Sequence, residues 1–561
     1  MTSIFSGSSA RGWVFRLVAG ASLIVLFLIA NRAAYKGYFS SDDLDNIAWT
    51  RNGSARMFAE GLATPFYMPQ HFRPPGHFLF YALGGEVGLN YPWYVAVVHA
   101  AHFLNVLLVY LLLRRLGLGV WGALFFAFPM AAFEALWKPM YIFDVLCGTF
   151  VALTLLEYVS GRTILALVCC WLAYKSKENG VMVAFAVVAY EYWIGGRNWK
   201  RTMPFVAVAL WFMGQAVLAN RGEAGGEYEL KLTAEAVWTT VSFYGRRALL
   251  SGWALAALVC AAAYLRDRRA AFGLTAAVLL LGPLLLLPGR LYGAYLYVPM
   301  IGLSVAVGTL WDRIGKRPIA AAVAMMIWWG VNFQVMRLER NPTLAEADLN
   351  RVYVAKVMRA AQEHPDAQHF LYDGSPSGMH WWGIEGALRL AYQRNEVELK
   401  QAHQGANAER TLVLSWNEGL RILETAYRDG STALRPAVRM SQTVSVFQLD
   451  GGWHPKEGDA RWSEPLAKVR LWRPAGARFF EMEAAAPERA TVEVRVDGAP
   501  IGKAEMEESV WRDLRIPVAE TKEGPVTVEL RVTPPHHPGH GDTRVLGVLV
   551  RRLGFSMEDG R

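Results

Sequence analysis

Two adjacent carboxylates are the first candidates for chemistry in this sequence. Asp42 and Asp43 follow an apolar run at residues 12–31 and lie within the stretch 37–46. Neighbouring carboxylates repel, so we expect one of them to hold its proton more tightly, which suits a general base. A structural alternative stands beside this one, because Ser and Asp open helices readily and residues 44–49 fit a short helix.

Cations in unusual places are the second kind of candidate. Lys175 and Lys177 are followed by Glu178 in a stretch between two unusually short apolar runs. The positive-inside rule places Lys and Arg in cytoplasmic loops, and these two lysines depart from the pattern that the rest of the chain follows. We therefore expect an anionic partner, either Glu178 or a phosphate group of a lipid carrier. Arg290, among the tyrosines of residues 288–299, is a further cation of this kind.

Glu134 and Asp144 stand at the boundary between two other apolar runs. Ionisable side chains at the ends of apolar spans are costly to bury unless they are paired, which makes them functional candidates. Lys138 lies four residues after Glu134, so these two could instead form an ion pair at a helix end.

Arg73 and His102 complete the candidate residues. Arg73 lies in an aromatic-rich stretch at residues 72–81, which is also typical of an aromatic belt at a membrane interface. His102 and His99 are three residues apart and share one helical face, where hydrogen bonds between helices are favoured over metal binding. No residue is assigned as a metal ligand.

The apolar runs themselves are long enough to cross a membrane. Of 561 residues 53% are hydrophobic and the mean hydropathy is +0.19, which is too apolar for an ordinary soluble enzyme. A span needs about 20 apolar residues as helix. We predict an α-helical polytopic membrane protein with about eleven transmembrane helices, at residues 12–31, 93–113, 118–136, 140–158, 162–175, 179–194, 203–219, 247–265, 271–288, 293–311 and 317–337.

Short clusters of Lys and Arg fall at every second boundary, as the positive-inside rule requires. They are Arg11, Arg16, Arg114, Arg115, Arg162, Arg197, Lys200, Arg201, Arg266, Arg268, Arg269, Arg313, Lys316 and Arg317. This predicts a cytoplasmic N-terminus, and an odd number of spans places everything after residue 337 on the opposite face. The candidate residues above then gather on the extracytoplasmic side. Residues 30–33 are a poor processing site, so we expect the first span to be retained.

Charge and cysteine content argue against two other classes of protein. The net charge of +9 is carried largely by the topological clusters, so it does not indicate nucleic-acid binding. Cys147, Cys169, Cys170 and Cys260 lie within apolar runs and form no CxxC spacing. This indicates buried thiols rather than a zinc site or a disulfide framework.

Two extracytoplasmic domains are predicted after the membrane domain, which occupies residues 1–337. Residues 338–410 read as a small α/β module with a helix at 344–362, a strand at 369–372 and a helix at 381–392. Alternation dominates from residue 411 onward, which predicts a β-sandwich of jelly-roll type at 411–561.

Five blocks of the sequence, in order, resemble the GT-C class of membrane glycosyltransferases. Within that class they are similar to the branch of transmembrane and tetratricopeptide-repeat O-mannosyltransferases and related bacterial proteins. The resemblance covers roughly residues 35–310. Its blocks are the acidic pair within 37–43, Arg73-Pro74 with His102 and Asn105, Pro129 with Glu134, Trp137 and Asp144, Ser-Lys-Glu-Asn at 176–179, and Tyr-Leu-Tyr-x-Pro at 295–299.

The sequence departs from that branch in two respects. The branch usually has Arg directly before Tyr-Leu-Tyr, whereas this sequence has Ala294, which leaves Arg290 as a substitute. No 34-residue period follows residue 337, so the tetratricopeptide repeats are missing and the acceptor is left open.

The resemblance implies transfer of a sugar from a polyprenyl-phosphate donor to a protein, glycan or lipid acceptor outside the cytoplasm, in a bacterial inner membrane. It implies Asp42 or Asp43 as base and places Lys177, Lys175 and Arg290 toward the donor phosphate. The remaining candidates, Glu134, Asp144, Glu178, Arg73 and His102, would orient these groups or contact sugar hydroxyls. A divalent cation, Mg or Mn, stays an open alternative, since no metal-ligand spacing stands out.

Two alternatives to this function remain. A transporter or flippase of a lipid-linked saccharide would place charges near the bilayer midplane within internal repeats, whereas here the charges stand at span ends and no repeat is visible. A sugar transferase acting on lipid A or another glycolipid would share the donor site and differ in its acceptor.

Overall fold

The computed structural model describes residues 10–66, 72–219, 229–314, 318–402, 410–428, 434–442, 446–519, 522–539 and 542–557. The predicted basic boundary at Lys316 and Arg317 lies outside these residues. The chain divides into two compact units, Met1–Asp348 and Leu349–Arg561.

The first unit is helical. Its α-helices are α1 (Ala10–Ala30), α2 (Ser41–Thr50), α3 (Ala55–Ala63), α4 (Pro74–Val87), α5 (Tyr91–Arg115), α6 (Trp121–Phe126), α7 (Phe133–Trp137), α8 (Ile142–Val159), α9 (Thr163–Ser176), α10 (Val183–Trp193), α11 (Trp199–Ala219), α12 (Ala234–Ala248), α13 (Gly252–Leu265), α14 (Arg268–Leu281), α15 (Pro299–Ile314) and the first part of α16 (Pro318–Glu363).

Five helices within the described residues are long and apolar enough to cross a membrane, which makes this a multi-pass membrane protein. They are Tyr91–Arg115, Pro139–Val159, Trp199–Leu218, Arg268–Leu286 and Ile319–Glu363. A sixth is added if α12 and α13, which meet at an angle of 88°, count as one bent span.

The predicted number of about eleven spans is therefore not confirmed. Several of the predicted runs fold as shorter helices: the run at 118–136 is divided into α6 and α7 by a break at Pro129. The runs at 162–175 and 179–194 become helices of 14 and 11 residues. Apolar composition alone thus overestimates the length of continuous helix.

Close helix contacts in this unit rely on glycine. A Cβ on Gly273 would lie 2.5 Å from the backbone nitrogen of Ala306, and one on Gly302 would lie 2.5 Å from that of Ala277. Helices α14 and α15 therefore pack backbone against backbone, as small residues allow in membrane proteins.

The second unit begins with the end of α16 and contains a four-stranded sheet of order β2-β1-β3-β4. Its elements are β1 (His369–Asp373), α17 (Trp381–Tyr392), β2 (Glu398–Gln401), β3 (Thr411–Asn417) and β4 (Ile422–Tyr427). Strand β1 pairs in parallel with β2 and β3. The helix and strand predicted after residue 362 are confirmed, but β3 and β4, which the sequence analysis assigned to the last domain, complete this sheet. Six of the seven β3 residues are buried, as in a central parallel strand.

A nine-stranded antiparallel sheet follows: β5 (Ala437–Arg439), β6 (Leu449–Glu457), β7 (Ala460–Arg473), β8 (Phe479–Ala485), β9 (Ala490–Val496), β10 (Ala499–Met506), β11 (Arg512–Pro517), β12 (Gly524–Thr533) and β13 (Leu549–Ser556). Seven strands run in the order β10-β9-β12-β7-β13-β8-β11, while β5 pairs with β13 and β6 with β7. The two end strands approach each other, since a Cβ on Gly502 in β10 would lie 2.7 Å from Ile516 in β11. The β-rich prediction is confirmed, as one nearly closed sheet; the jelly-roll assignment stays a prediction.

Candidate active site

A buried ion pair between Lys177 and Asp144 lies at the centre of the candidate site. Helix α9 ends at Ser176, and Lys177 takes an extended conformation (φ −163°, ψ 143°) before a short 3-10 turn. This break in the helix allows Lys177 to reach Asp144 in the first turn of α8, with Nζ 2.5 Å from Oδ2. The two side chains are only 11% and 2% exposed.

A second ion pair lies directly beside the first. Arg73 donates two hydrogen bonds to Glu178, from Nε to Oε1 at 3.0 Å and from Nη2 to Oε2 at 2.9 Å. Its guanidinium carbon also lies 5.2 Å from the centre of the Phe143 ring. Since Phe143 precedes Asp144 and Glu178 follows Lys177, the two pairs are adjacent along both chain segments. The structure brings four predicted residues together here.

Tyr295 connects Lys177 to Arg290. The Lys177 Nζ lies 4.4 Å from the centre of the Tyr295 ring, and Arg290 Nε donates a hydrogen bond of 3.0 Å to the Tyr295 hydroxyl. A 3-10 turn at Gly293–Leu296 presents the tyrosine. Two cations thus contact one aromatic side chain from its face and from its hydroxyl end.

Glu134 is paired with Arg247, not with Lys138. Arg247 Nη2 lies 3.3 Å from Glu134 Oε1, and Nε donates to the carbonyl of Ala131 at 3.1 Å. Lys138 directly follows the last residue of α7. Its N–H still bonds to the Glu134 carbonyl at 2.9 Å, but its backbone is extended (φ −113°, ψ 118°), and its ammonium forms no ion pair with Glu134 among the described residues. Lys138 pairs instead with Glu346, at 3.0 Å.

Arg247 also lies against the turn that carries Tyr295. A Cβ on Gly293 would lie 2.4 Å from Arg247 Nε and 2.7 Å from its guanidinium carbon, so only glycine leaves room for the guanidinium there. A cation from α12 therefore lies beside the residue that precedes Ala294.

The two aspartates of the adjacent pair have different roles in the structure. Asp43 is fully buried and caps α2, since its Oδ2 accepts hydrogen bonds from the Ser40 backbone nitrogen at 2.8 Å and the Ser40 hydroxyl at 2.7 Å. The structural alternative for this residue is therefore confirmed. Asp42 is only partly buried.

Burial raises the pKa of the Asp43 carboxyl to about 7. The hydrogen bonds from Ser40 oppose this shift, the neighbouring Asp42 carboxylate adds to it, and the Lys138 ammonium reduces it. Because Lys138 lowers the pKa of Asp43 electrostatically, the segment that carries Lys138 and Glu134 lies within electrostatic range of Asp43.

Two predicted residues are directed elsewhere. Lys175 lies inside α9, with Nζ 5.4 to 5.7 Å from the ring centres of Trp171, Tyr174 and Phe212. His102 is buried, and its ring nitrogens lie 2.9 Å from the Tyr297 hydroxyl and 3.2 Å from the Ala127 carbonyl. The hydrogen-bonding role expected for His102 is confirmed, and its contacts are structural.

Three carboxylates of the site share one property. Asp43 Oδ1, Glu134 Oε2 and Asp144 Oδ1 are buried, and none has a hydrogen-bond partner within the described part of the chain. A buried acceptor without a donor is costly, so these oxygens suit a ligand rich in hydroxyl groups.

Among the described residues, no three or more His, Cys, Asp or Glu side chains are grouped so that they could hold an ion. A Mg or Mn ion stays an alternative that the resemblance leaves open, and no chemical step is assigned to it.

Arg247 and Tyr295 belong to the site in the structure but were not among the residues predicted from the sequence. Arg246 and Arg247 lie at a boundary where the positive-inside pattern leaves no role for cations, which is the signal that identified the 175–177 lysines. Tyr295 was part of a recognised block but had no feature of its own that marked it as a bridge.

Comparisons with known proteins give distant likenesses. No protein-family model and no curated protein matches the chain. It is similar to ArnT from Cupriavidus metallidurans bound to undecaprenyl phosphate, with 14% identity, a TM-score of 0.45 and coverage of 73% of this chain and 94% of that one. It is also similar to the mycobacterial arabinofuranosyltransferase AftD (12% identity, TM-score 0.39, 98% of this chain and 61% of that one).

A third similar structure is the arabinosyltransferase EmbB from Mycobacterium smegmatis (11% identity, TM-score 0.32, 95% of this chain and 64% of that one). The chain therefore spans less than two thirds of the length of AftD and EmbB. Because all three TM-scores lie below 0.5, the functional assignment rests on the side chains of the site.

Proposed function

We propose that this chain is a membrane glycosyltransferase of the GT-C type that moves a sugar from a polyprenyl-phosphate donor to an acceptor hydroxyl on the extracytoplasmic side. The observation that carries the proposal is the grouping of one buried and two partly buried cations with carboxylates that each have one buried oxygen without a hydrogen-bond partner among the described residues. Lys177, Arg73 and Arg290 lie around Tyr295 and Glu178, and Asp144 is paired with Lys177.

This grouping matches what the reaction requires. The bond between the anomeric carbon and the phosphate oxygen breaks as the acceptor oxygen attacks, so negative charge grows on the departing phosphate. Lys177 and Arg290 are assigned to contact that phosphate, because preorganised cations in a site with little water stabilise such charge strongly. The unpartnered oxygens of Asp144 and Glu134 are assigned to accept hydrogen bonds from sugar hydroxyls.

Asp42 is assigned as the general base that takes the proton of the acceptor hydroxyl. Asp43 is fully enclosed and its Oδ2 is engaged by Ser40, whereas Asp42 is partly exposed on the same turn of α2. A base must come within hydrogen-bond reach of the proton that it removes, which favours the accessible carboxylate. Asp43 then positions Asp42 by fixing the start of α2.

The test is transfer from undecaprenyl-phosphate hexoses by the purified full chain and its variants. We expect Asp42→Asn to abolish transfer while the matched variant Asp45→Asn, on the same helix, retains it. Full activity of Asp42→Asn would refute the base assignment. Movement of the sugar-lipid across the membrane of proteoliposomes without any transferred product would favour the transporter alternative. Mass spectrometry of surface glycans and glycoproteins in a deletion strain would identify the acceptor.

A further inference from the structure

A cavity in the second unit is lined by none of the residues assigned above to the transfer reaction. It has a volume of about 350 Å³ and is bordered by the ends of β1 and β2, by the residues before α17, and by β6 and β7. Strand β1 ends at Asp373 and Gly374 follows with φ +79°, which turns the chain away and leaves the strand end open. Crevices at the carboxyl ends of parallel strands are common ligand sites.

Of the Asp and Arg side chains that line the cavity, Arg428 is not part of an ion pair among the described residues. Asp373 and Arg461 neutralise each other through two contacts, at 2.8 and 2.6 Å, with side chains 13% and 4% exposed. Arg428 also lines the cavity and is only 5% exposed, yet no ion pair within the described residues includes it.

The hydrogen bonds of Arg428 go to backbone carbonyls. Nη1 donates to Ala402 at 3.0 Å, Nη2 donates to Leu449, and Nε has no partner within the described residues. Asp450 also acts on the guanidinium electrostatically. Carbonyls carry only partial charges, so a buried guanidinium of this kind suits an anionic ligand.

Aromatic and amide groups complete the lining. Trp381 is 54% exposed, although it borders the cavity, which places an indole at the opening. Trp453 is buried and held by a hydrogen bond of 2.8 Å from Nε1 to the Lys468 carbonyl. Gln401 donates to the Tyr372 hydroxyl at 3.0 Å, so the polar groups of that wall are also held in place. Exposed indole faces bind flat, partly apolar groups such as sugar rings.

We propose that this cavity binds one anionic sugar ring, with its carboxylate or phosphate group toward Arg428 and its ring against Trp381. The volume is at the lower end of the range of about 300 to 1,000 Å³ for small-molecule sites, which restricts the ligand to a single ring. This site is separate from the proposed transfer site, so the two proposals can fail independently.

The test uses the full chain in detergent and isothermal titration calorimetry with D-glucuronate, D-glucose 6-phosphate, D-glucose and inorganic phosphate. We expect saturable binding of at least one anionic sugar, with D-glucose bound at least about tenfold more weakly, since a charge-assisted hydrogen bond is lost. The two anionic sugars distinguish a carboxylate from a phosphate ligand. Equal binding of glucose, no binding of either anionic sugar, or phosphate binding as tight as glucose 6-phosphate would each overturn the proposal.

Variants locate the binding. Trp381→Ala changes an exposed side chain and should weaken the anionic sugar by about fivefold, whereas Trp472→Ala, an exposed tryptophan of β7 outside the cavity lining, should not. Arg428→Gln should remove the preference for the anionic sugar over glucose. If Arg428→Gln does not fold, added salt should weaken the anionic sugar and not glucose, and salt-independent binding would contradict the role of Arg428.

Discussion

Replacing Lys177 by Met separates the structural role of the central ion pair from its proposed chemical role. The pair has Nζ and Oδ2 2.5 Å apart, with side chains 11% and 2% exposed. Removing one partner of a buried pair leaves the other charge uncompensated, which costs about 3–5 kcal/mol. Lys177→Met should therefore lose stability of this order and also lose transfer activity.

The double variant Lys177→Met with Asp144→Leu gives the decisive comparison. Replacing both charges of a buried pair by apolar groups is often neutral or stabilising, so we expect most of the lost stability to return. Activity should not return, because the phosphate contact is still missing. Thermal unfolding followed by tryptophan fluorescence and a transfer assay on the same samples measure the two quantities.

An exposed pair serves as the control. Arg56 and Glu60 lie 2.7 Å apart with side chains 87% and 63% exposed, so Arg56→Met should change stability by less than about 1 kcal/mol. Unchanged stability of Lys177→Met would show that the buried pair does not form. An active double variant would refute the assignment of Lys177 to the donor phosphate.

Three further predictions concern neighbouring residues. Burial raises the pKa of Asp43 from 3.8 to about 7, so the protonated carboxyl stabilises the fold fully below about pH 4, and this contribution is lost by about pH 7. The free energy of unfolding should therefore fall by about 4 kcal/mol over this range. Melting curves across the range should show that Asp43→Asn abolishes this fall. An unchanged pH dependence in that variant would contradict the burial of the carboxyl. Gly293→Ala should displace Arg247 from Glu134 and lower kcat/KM by about tenfold or more, and Arg247→Gln should lower it by a similar factor. The double variant should be no less active than either single variant. Additive losses would show that the two residues act independently. Lys175→Met should retain transfer activity, because its ammonium contacts aromatic rings outside the ion-pair cluster, and a loss as large as that of Lys177→Met would place it in the site.

The sequence identified most of the charged residues of the site but few of their partners. Asp144, Lys177 and Glu178 were recognisable because charges at the ends of apolar runs are costly without a function or a partner, whereas Arg73 was indicated by the block of resemblance that contains it. Their pairing depends on where helices end. Lys177 reaches Asp144 only because α9 stops at Ser176, and a sequence pattern does not fix that end to one residue.

For Lys138 and Lys175, uncertainty about where a helix ends led to a predicted partner or role that differs from the contacts in the structure. The spacing of Lys138 suggested a helical pair with Glu134, but Lys138 has an extended backbone just after α7 and pairs with Glu346 instead. Lys175 is only two residues from Lys177, yet it remains within the helix and contacts a different set of side chains. Proximity along the chain therefore did not indicate which lysine belongs to the site.

In the second unit, the parallel pairing of β1 with β3 was not predictable from alternation. Strand β3 is buried along nearly its whole length, so its sequence lacks the two-residue period that marks a half-exposed strand. The antiparallel strands were easier to recognise because buried and less buried residues alternate along them, as in β9.

The positions of Asp144 and Lys177 also bear on how the chain enters a bilayer. Asp144 lies in the first turn of α8, Lys177 directly follows α9, and residues 160–162 join the two helices. Each helix alone would carry an unpaired charge into hydrocarbon, whereas the two together are neutral. During synthesis Lys177 emerges 33 residues after Asp144, so the α8–α9 hairpin, rather than a single helix, is the unit expected to leave the translocation channel for the lipid.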